Sequence, residues 1–504
     1  MKLATFIGLA VAGMVGVGSA VYAVTPAGGF GAKRDVAASQ QAVDEADELI
    51  AGSADAPRVD KTPTEFRIGS TLVVEGRVGH PAMRANQSSE SFVLLELTPG
   101  EGGAATAPPA ASVSLVIDKS GSMKGARLPN AVAAAVAAVD RLRDGDSVSV
   151  IAFDTKTEVV VPPTKIDAST RPTIASAIRG IQLGGDTCIS CGLSEALAQL
   201  TVARTNGARP DVERVLLLSD GEPTAGMRKP EEFNVLARRA MTSGISITTI
   251  GVALDYNEQV MTAIARSSNG GHYFVENEAG LPAVFEAEAK KLEETRAANA
   301  VAHIELKNGV ELMNLPDREF QRFGSRITVP LGGFAKGMKN TVLLKVRVPA
   351  TQAGPLTVAD IRVAYRDLSS AKDVEETGSL AIDLVTDPSK IAPIDGVVLD
   401  RVQRTETAAA LIDANSLFRE GRVDEAEKRL EQARQSVQKS KKDASVAVPA
   451  SRAGGVASSF DQQEESLDKA SSGFKRPAPG RPAEPNAPKA TSRSNAQRAF
   501  ESTQ

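Results

Sequence analysis

Between Ser112 and about Arg296, continuous apolar strands alternate with helical segments. The strands read VSLVID, RVLLLSD and ISITTIGVAL, and the segments between them include LPNAVAAAVAAVDRL and PEEFNVLARRAMTSG. Because strands that are apolar throughout need cover on both faces, this pattern predicts a mostly parallel sheet with helices on each side. Right-handed crossovers make such a unit a doubly wound α/β domain, whose ligands bind beyond the carboxyl ends of the strands.

Strands of a different type flank this region. FRIGSTLVVEGRV and SFVLLELTP come before it, and five period-two or apolar runs divided by Gly, Pro and polar turns come after it. This spacing is typical of an antiparallel sandwich. Since two strands alone are marginally stable, we expect residues 61–111 and 297–387 to form one sandwich, with the α/β domain of residues 112–296 inserted in it. Two separate small β units are the alternative.

The two ends of the chain differ from these folded regions. Residues 1–23 have a basic start, an apolar run and a small-residue cleavage site, which indicates a secretory signal peptide, with an uncleaved membrane anchor as the alternative. Residues 24–60 are interpreted as a linker. Residues 388–440 predict a helical hairpin that turns at Gly421, and residues 441–504 are expected to be disordered because they contain few aliphatic side chains. We therefore expect an exported protein that is periplasmic, attached to the cell envelope or secreted.

The charge of the chain excludes some classes of partner. Its 504 residues include 58 basic and 62 acidic side chains, a formal net charge of −4, so nucleic acid is not expected to be a partner. The end of the chain, from Lys469 onward, is more basic, and it is expected either to contact anionic envelope polymers or to remain solvated. No segment after the N-terminal run is apolar enough to span a bilayer, so no channel pore is expected.

Oxygen-bearing side chains occur where the apolar strands end. Asp118, Ser120 and Ser122 lie in LVIDKSGSM, Asp220 lies in LLLSDGEPT, and Thr187 lies in the glycine-rich loop IQLGGDTCISCGL. Since parallel strands end at the same edge of a sheet, we expect these loops to converge. Carboxylates, hydroxyls and waters suit a hard divalent cation, Mg²⁺ first, with Mn²⁺ or Ca²⁺ as alternatives. Neutral hydroxyl ligands leave such a cation able to accept a carboxylate from another molecule.

These residues resemble the metal-ion-dependent adhesion site of von Willebrand factor type A domains, in which Asp-x-Ser-x-Ser is followed by a separate Thr and a separate Asp. Here DKSGS supplies the first motif, and Thr187 and Asp220 follow in order. The resemblance covers roughly residues 112–296. It implies metal-dependent binding of a protein whose exposed Asp or Glu completes the coordination. The layout of the chain also resembles exported bacterial proteins related to the calcium-activated chloride channel and inter-alpha-trypsin inhibitor heavy-chain types.

Cys188 and Cys191 are the only cysteines of the chain, and they depart from the family pattern. In an exported protein such a pair indicates a disulfide, which would pin the loop that carries Thr187. A redox motif at a helix start is one alternative, and reduced thiols are another. A zinc site is poorly supported, because two cysteines leave it short of ligands and the three histidines are scattered along the chain.

Motifs of common enzyme classes are missing from the sequence, which has no His-Glu-x-x-His, no Gly-x-Ser-x-Gly and no P-loop. We therefore expect a noncatalytic, metal-dependent binding or scaffold module of the cell envelope. The alternative is an envelope enzyme with thiol-disulfide or hydrolytic activity that uses the α/β domain to position its substrate. The two hypotheses differ in whether removal of a cation or loss of the cysteines abolishes function.

Overall fold

The structure is a computed structural model, and it describes residues 63–101, 108–206, 210–474 and 487–502. The predicted signal peptide of residues 1–23 and the predicted linker of residues 24–60 lie outside these ranges. None of the helices within the described ranges is long and apolar enough to cross a membrane.

Four strands precede the α/β unit in the described part of the chain. They are β1 (Glu65–Ile68), β2 (Leu72–Val78), β3 (Ala82–Arg84) and β4 (Ser89–Pro99). Strand β2 pairs with both β1 and β4 in antiparallel orientation. Val93, Leu95 and Leu97 of β4 are buried in one core, as expected for alternate residues of a strand. The other edge of β4 pairs with a strand from much later in the chain.

The α/β unit is built on a six-stranded sheet. Its strands are β5 (Ala111–Asp118), β6 (Ser147–Phe153), β7 (Thr157–Lys165), β8 (Val212–Ser219), β9 (Ile245–Val252) and β10 (His272–Val275). They lie in the order β10-β9-β8-β5-β6-β7, and every neighbouring pair is parallel except β6 with β7. Every residue of β5 and β8 is buried. The predicted doubly wound, mostly parallel sheet is thus confirmed.

Each face of this sheet has its own apolar core. The helices on one face are α1 (Arg127–Arg141), α2 (Thr170–Arg179) and α6 (Leu281–Glu293). Those on the other face are α3 (Ile189–Thr205), α4 (Pro230–Thr242) and α5 (Glu258–Ser267). Leu115 and Ile117 of β5 lie in the first core, and Val116 lies in the second. Because both faces of the strands are covered by helices, the loops at the strand ends are left to bind ligands.

The strands after the α/β unit complete the sandwich. They are β11 (Thr295–Leu306), β12 (Glu311–Asn314), β13 (Gln321–Phe323), β14 (Arg326–Ala335), β15 (Asn340–Val348), β16 (Gly354–Asp367) and β17 (Lys372–Val385). One sheet has the order β1-β2-β4-β15-β12, and the other has the order β13-β14-β11-β16-β17-β3. Strand β15 is antiparallel to β4, whereas β3 is parallel to β17. Each sheet therefore combines strands from both sides of the α/β unit, which is inserted between them.

The C-terminal region is helical. Its helices are α7 (Gly396–Arg419), α8 (Val423–Ala447), α9 (Ala453–Phe474) and α10 (Ala487–Ser502). Helices α7 and α8 form the predicted hairpin, and Gly421 adopts a positive φ of +79° at its turn. The prediction that residues 441–504 are disordered is wrong for the described residues of that segment, most of which belong to α8, α9 and α10.

The apolar residues of α9 explain this correction. Val456, Phe460, Leu467 and Phe474 recur at helical spacing and are buried against the other helices. The ring of Phe474 stacks on that of Phe418 in α7, with centroids 4.3 Å apart. A mean composition conceals such a stripe, because a few apolar residues at the correct spacing suffice to dock a helix when another surface is present.

Candidate metal centre

The carboxyl ends of β5 and β8 bring two aspartates to one edge of the sheet. Asp118 is the last residue of β5, and Asp220 directly follows β8. The two strands pair in parallel, with Ile117 opposite Leu218. Both carboxylates are fully buried, with 0% of each residue exposed. The structure therefore places the two acidic residues singled out from the sequence side by side.

Asp118 is oriented by two hydrogen bonds. The backbone N–H of Ser120 donates to Oδ1 at 2.9 Å, and the hydroxyl of Ser219 donates to Oδ2 at 2.5 Å. Burial raises the pKa of Asp118 to about 6, although these hydrogen bonds lower it, and the nearby carboxylate of Asp220 raises it further. Burial removes the water that would stabilise the charged carboxylate of Asp118. A cation placed beside it would therefore stabilise the charged form and be strongly attracted.

The hydroxyls of Ser120 and Ser122 lie between the two aspartates. Their Oγ atoms are 3.0 Å apart, and Ser122 Oγ donates to Asp220 Oδ1 at 2.6 Å. A single 3₁₀ turn, Gly121–Met123, follows β5 within this segment. The Asp-x-Ser-x-Ser motif thus forms one continuous row of oxygens at the edge of the sheet.

Thr187 approaches this row from a separate loop. Its backbone N–H donates to Thr224 Oγ1 at 2.8 Å, and its carbonyl accepts from the Thr224 N–H at 3.0 Å. A Cβ atom built on Gly221 would lie 3.2 Å from Ser122 Oγ and 3.3 Å from Thr187 Oγ1. Both hydroxyls therefore border Gly221, directly after Asp220. The structure brings together all five residues that the motif identified.

The donor set fits a hard divalent cation. It consists of two carboxylates and three hydroxyls, and oxygen-only ligands of this kind suit Mg²⁺. Within the described residues, no three His, Cys, Asp or Glu side chains are grouped closely enough to hold a metal ion. A cation at this edge would therefore depend on the serine and threonine hydroxyls as well as on the two aspartates.

Sequence reasoning missed Arg127, which lies against this centre. Its Nη1 atom donates to Asp220 Oδ2 at 2.7 Å and to the carbonyl oxygen of Ser122 at 3.2 Å. Two further carboxylates are 3.7 Å from the guanidinium, those of Asp255 and Glu278. The sequence has no local signal for this role, because an arginine in the first turn of a helix is common on protein surfaces.

The two cysteines flank the start of α3, next to Thr187. Their sulfur atoms lie at disulfide distance, 1.94 Å apart. Gly226, on the loop after Asp220, has a positive φ of +68°, and a Cβ atom built there would lie 2.6 Å from Cys188 Sγ. The cysteine pair therefore packs between the loop of Thr187 and the loop that follows Asp220.

The three histidines lie apart from these oxygens. The Nδ1 atom of His80 is 3.0 Å from Ser91 Oγ, that of His272 is 2.9 Å from Thr249 Oγ1, and that of His303 is 3.2 Å from Thr328 Oγ1. A serine nucleophile needs a base within hydrogen-bonding reach. These contacts place each imidazole on a hydroxyl other than those of Ser120 and Ser122.

Comparisons with known proteins identify the family that the α/β unit resembles. Residues 112–287 match the von Willebrand factor type A domain family. The uncharacterized protein sll0103 of Synechocystis is 26% identical over 271 residues, 52% of this chain and 63% of that protein. The uncharacterized protein YfbK of Escherichia coli is 28% identical over 199 residues, 39% of this chain and 34% of that protein. Inter-alpha-trypsin inhibitor heavy chain H2 of Mus musculus is 30% identical over 164 residues, 32% of this chain and 17% of that protein. The chain thus spans less than two thirds of these relatives.

Two solved structures share the fold over most of the chain. A von Willebrand factor type A protein from Catenulispora acidiphila superposes with a TM-score of 0.63 and 18% identity, covering 81% of this chain and 92% of that one. The ArnB paralog VWA2 from Sulfolobus acidocaldarius superposes with a TM-score of 0.57 and 18% identity, covering 86% of this chain and 100% of that one. At this identity the likeness concerns the fold alone. Residues 112–287 therefore match the von Willebrand factor type A domain family, and the fold of the chain is similar to that of solved proteins which carry this domain.

Proposed function

We propose that this protein is a noncatalytic binding module of the cell envelope that holds a divalent cation and, through it, an acidic side chain of a partner protein. The observation that carries the proposal is the convergence of two fully buried carboxylates, Asp118 and Asp220, with three hydroxyls at the carboxyl edge of a parallel sheet. Domains of this family commonly serve as metal-dependent protein-interaction modules, which supports the same conclusion.

The five donor residues contribute differently to the binding of a cation. Asp118 and Asp220 supply negative charge, while Ser120, Ser122 and Thr187 supply neutral oxygens. The cation, most favourably Mg²⁺, supplies an electrostatic attraction for a carboxylate. Because three of the five donors are uncharged, two carboxylates only balance the charge of the cation. An Asp or Glu side chain of the partner protein would then bind the cation as an additional oxygen ligand, which is present only in the complex.

We further propose that Cys188 and Cys191 form a disulfide that holds Thr187 in position. Cys188 is buried, and its backbone N–H donates to the carbonyl of Asp154 at 2.9 Å, so the start of α3 is tied to the loop after β6. A disulfide at this place also agrees with export, since such bonds persist in oxidising compartments such as the periplasm. The predicted signal peptide and the envelope location rest on the sequence.

The test of this function is calorimetric titration of Mg²⁺ into the purified chain. We expect saturable binding by the natural sequence and a loss of affinity of at least about tenfold in Asp118→Asn, because the substitution keeps the shape of the side chain and removes its charge. Asp140→Asn is the matched control, since Asp140 is an exposed residue of α1 and should leave binding unchanged. Absence of binding of Mg²⁺, Mn²⁺ and Ca²⁺ by the natural sequence would refute the proposal.

The partner can be sought in the same conditions. Envelope proteins retained by the immobilised chain in Mg²⁺ and released by EDTA are candidates, and Asp118→Asn should retain none of them. A partner that is retained equally by Asp118→Asn, or that stays bound in EDTA, uses a different surface and would contradict the carboxylate mechanism.

A further inference from the structure

Arg127 places a guanidinium group against two residues of the candidate metal centre. It is the first residue of α1, and 26% of its side chain is exposed. One nitrogen, Nη1, donates both to Asp220 Oδ2 at 2.7 Å and to the carbonyl oxygen of Ser122 at 3.2 Å. The guanidinium therefore touches the motif that would hold a cation.

Arg127 and Ser122 together occupy both oxygens of Asp220. Ser122 donates to Oδ1, and Arg127 donates to Oδ2. Asp220 is fully buried, and a buried carboxylate without a charged partner would be unstable, so the arginine compensates its charge. A divalent cation that uses Asp220 and Ser122 must take over this compensation and would lie close to the guanidinium, where like charges repel strongly.

Two other carboxylates lie near the guanidinium, those of Glu278 and of Asp255, and Asp255 also pairs with Lys489 at 2.8 Å. Nη2 is 3.7 Å from Asp255 Oδ2, and Nε is 3.7 Å from Glu278 Oε1. Asp255 lies on the loop before α5, and Glu278 lies on the turn before α6, so both are outside the five-residue donor set. A short side-chain rotation would therefore exchange one charged partner for another without leaving the arginine unpaired.

We propose that Arg127 is a built-in competitor of the divalent cation. It holds Asp220 while the cation is absent and turns toward Asp255 and Glu278 when the cation binds, so that it sets the affinity of the centre. The consequence is that the metal-free domain keeps its loops folded, and that the centre fills only when the cation concentration is high. This inference rests on the proposed function and concerns a residue outside the family motif.

The experiment compares Mg²⁺ binding by the natural sequence, Arg127→Gln and Arg127→Lys at constant ionic strength. We expect Arg127→Gln to bind Mg²⁺ about tenfold more tightly, because the competing charge is gone. Arg127→Lys retains a positive charge and should stay within about threefold of the natural sequence. Arg141→Gln on the same helix is the control, since Arg141 forms an exposed ion pair with Glu286 at 3.2 Å.

A second measurement covers a variant that is unstable without metal. In EDTA, Arg127→Gln should melt at a lower temperature than the natural sequence, because Asp220 has lost its charged partner and keeps only the hydrogen bond from Ser122. The rise in melting temperature with Mg²⁺ concentration then reports the affinity by linkage. Affinity that is unchanged or weaker in Arg127→Gln overturns the inference and leaves the metal centre intact. Absence of binding in every variant overturns the proposed function and the inference together.

Discussion

Replacement of Glu258 by alanine should release the C-terminal helix from the von Willebrand factor type A domain. Glu258 is the first residue of α5, and only 3% of it is exposed. Its carboxylate accepts from Arg419 Nη1 at 2.7 Å and from Arg493 Nη1 at 2.5 Å. Arg419 belongs to α7 and Arg493 belongs to α10, so one buried carboxylate joins two C-terminal helices to the domain.

The size of the effect follows from the burial of these groups. Removing one partner of a buried ion pair costs about 3–5 kcal/mol, because the remaining charge is left uncompensated. The side chain of Arg493 is 11% exposed, whereas that of Arg419 is 34% exposed and is partly screened by solvent. The expected free-energy cost of Glu258→Ala is therefore at the lower end of this range, about 3 kcal/mol. A cost of this size raises the fraction of molecules in which α10 is undocked roughly a hundredfold.

Hydrogen exchange of the α10 amides, followed by mass spectrometry, measures this population directly. Glu286→Ala is the matched control, because its ion pair with Arg141 is exposed on both sides and is worth at most about 1 kcal/mol. Glu258→Gln should give a smaller increase than Glu258→Ala, since the amide oxygen still accepts hydrogen bonds. Exchange in α10 of Glu258→Ala that stays within about threefold of the natural sequence would refute the reasoning.

Three further outcomes are expected. Thr187→Val should weaken Mg²⁺ binding about tenfold in calorimetry while the melting temperature in EDTA changes by less than about 2 °C, and a larger loss of stability would show that the hydroxyl is structural. Replacing both Cys188 and Cys191 by serine should lower the unfolding free energy by about 2 kcal/mol in urea and weaken Mg²⁺ binding, and unchanged values of both would contradict the pinning role. Burial, followed by the charge of Arg493, lowers the pKa of His272 to about 3, so the unfolded chain binds the extra proton between that value and the ordinary 6.5. Stability from this residue is therefore complete above pH 6.5 and is lost as the pH falls toward 3, by at most about 1.4 kcal/mol per pH unit. The unfolding free energy measured in urea should therefore fall less between pH 7 and pH 4 in His272→Gln than in the natural sequence.

The sheet of the α/β unit could be predicted because its information is local. A run such as VSLVID is apolar at every position, and this requires cover on both faces whatever the rest of the chain does. Once the strands are parallel, their carboxyl ends must share an edge, so the sequence alone predicts that Asp118 and Asp220 lie close together. The motif residues that follow each strand then converge for the same reason.

The C-terminal helix α10 makes contacts that the sequence does not predict. Lys489 and Arg493 have the same local sequence character as solvated cations, yet they pair with Asp255 and Glu258 at 2.8 Å and 2.5 Å. Nothing near them in sequence indicates these partners, which lie more than two hundred residues earlier. Ion pairs of this separation depend on how complete helices and strands pack, and no local pattern encodes that.

The sequence by itself determined the doubly wound sheet, the flanking strands and the oxygen donors at the sheet edge, because periodicity and strand direction dictate them. Only the tertiary structure decided that α9 and α10 dock, that β3 joins β17, and that Arg127 holds Asp220. The physical reason is that these contacts are between surfaces. Each surface is unremarkable alone, and its partner exists only after the chain has folded.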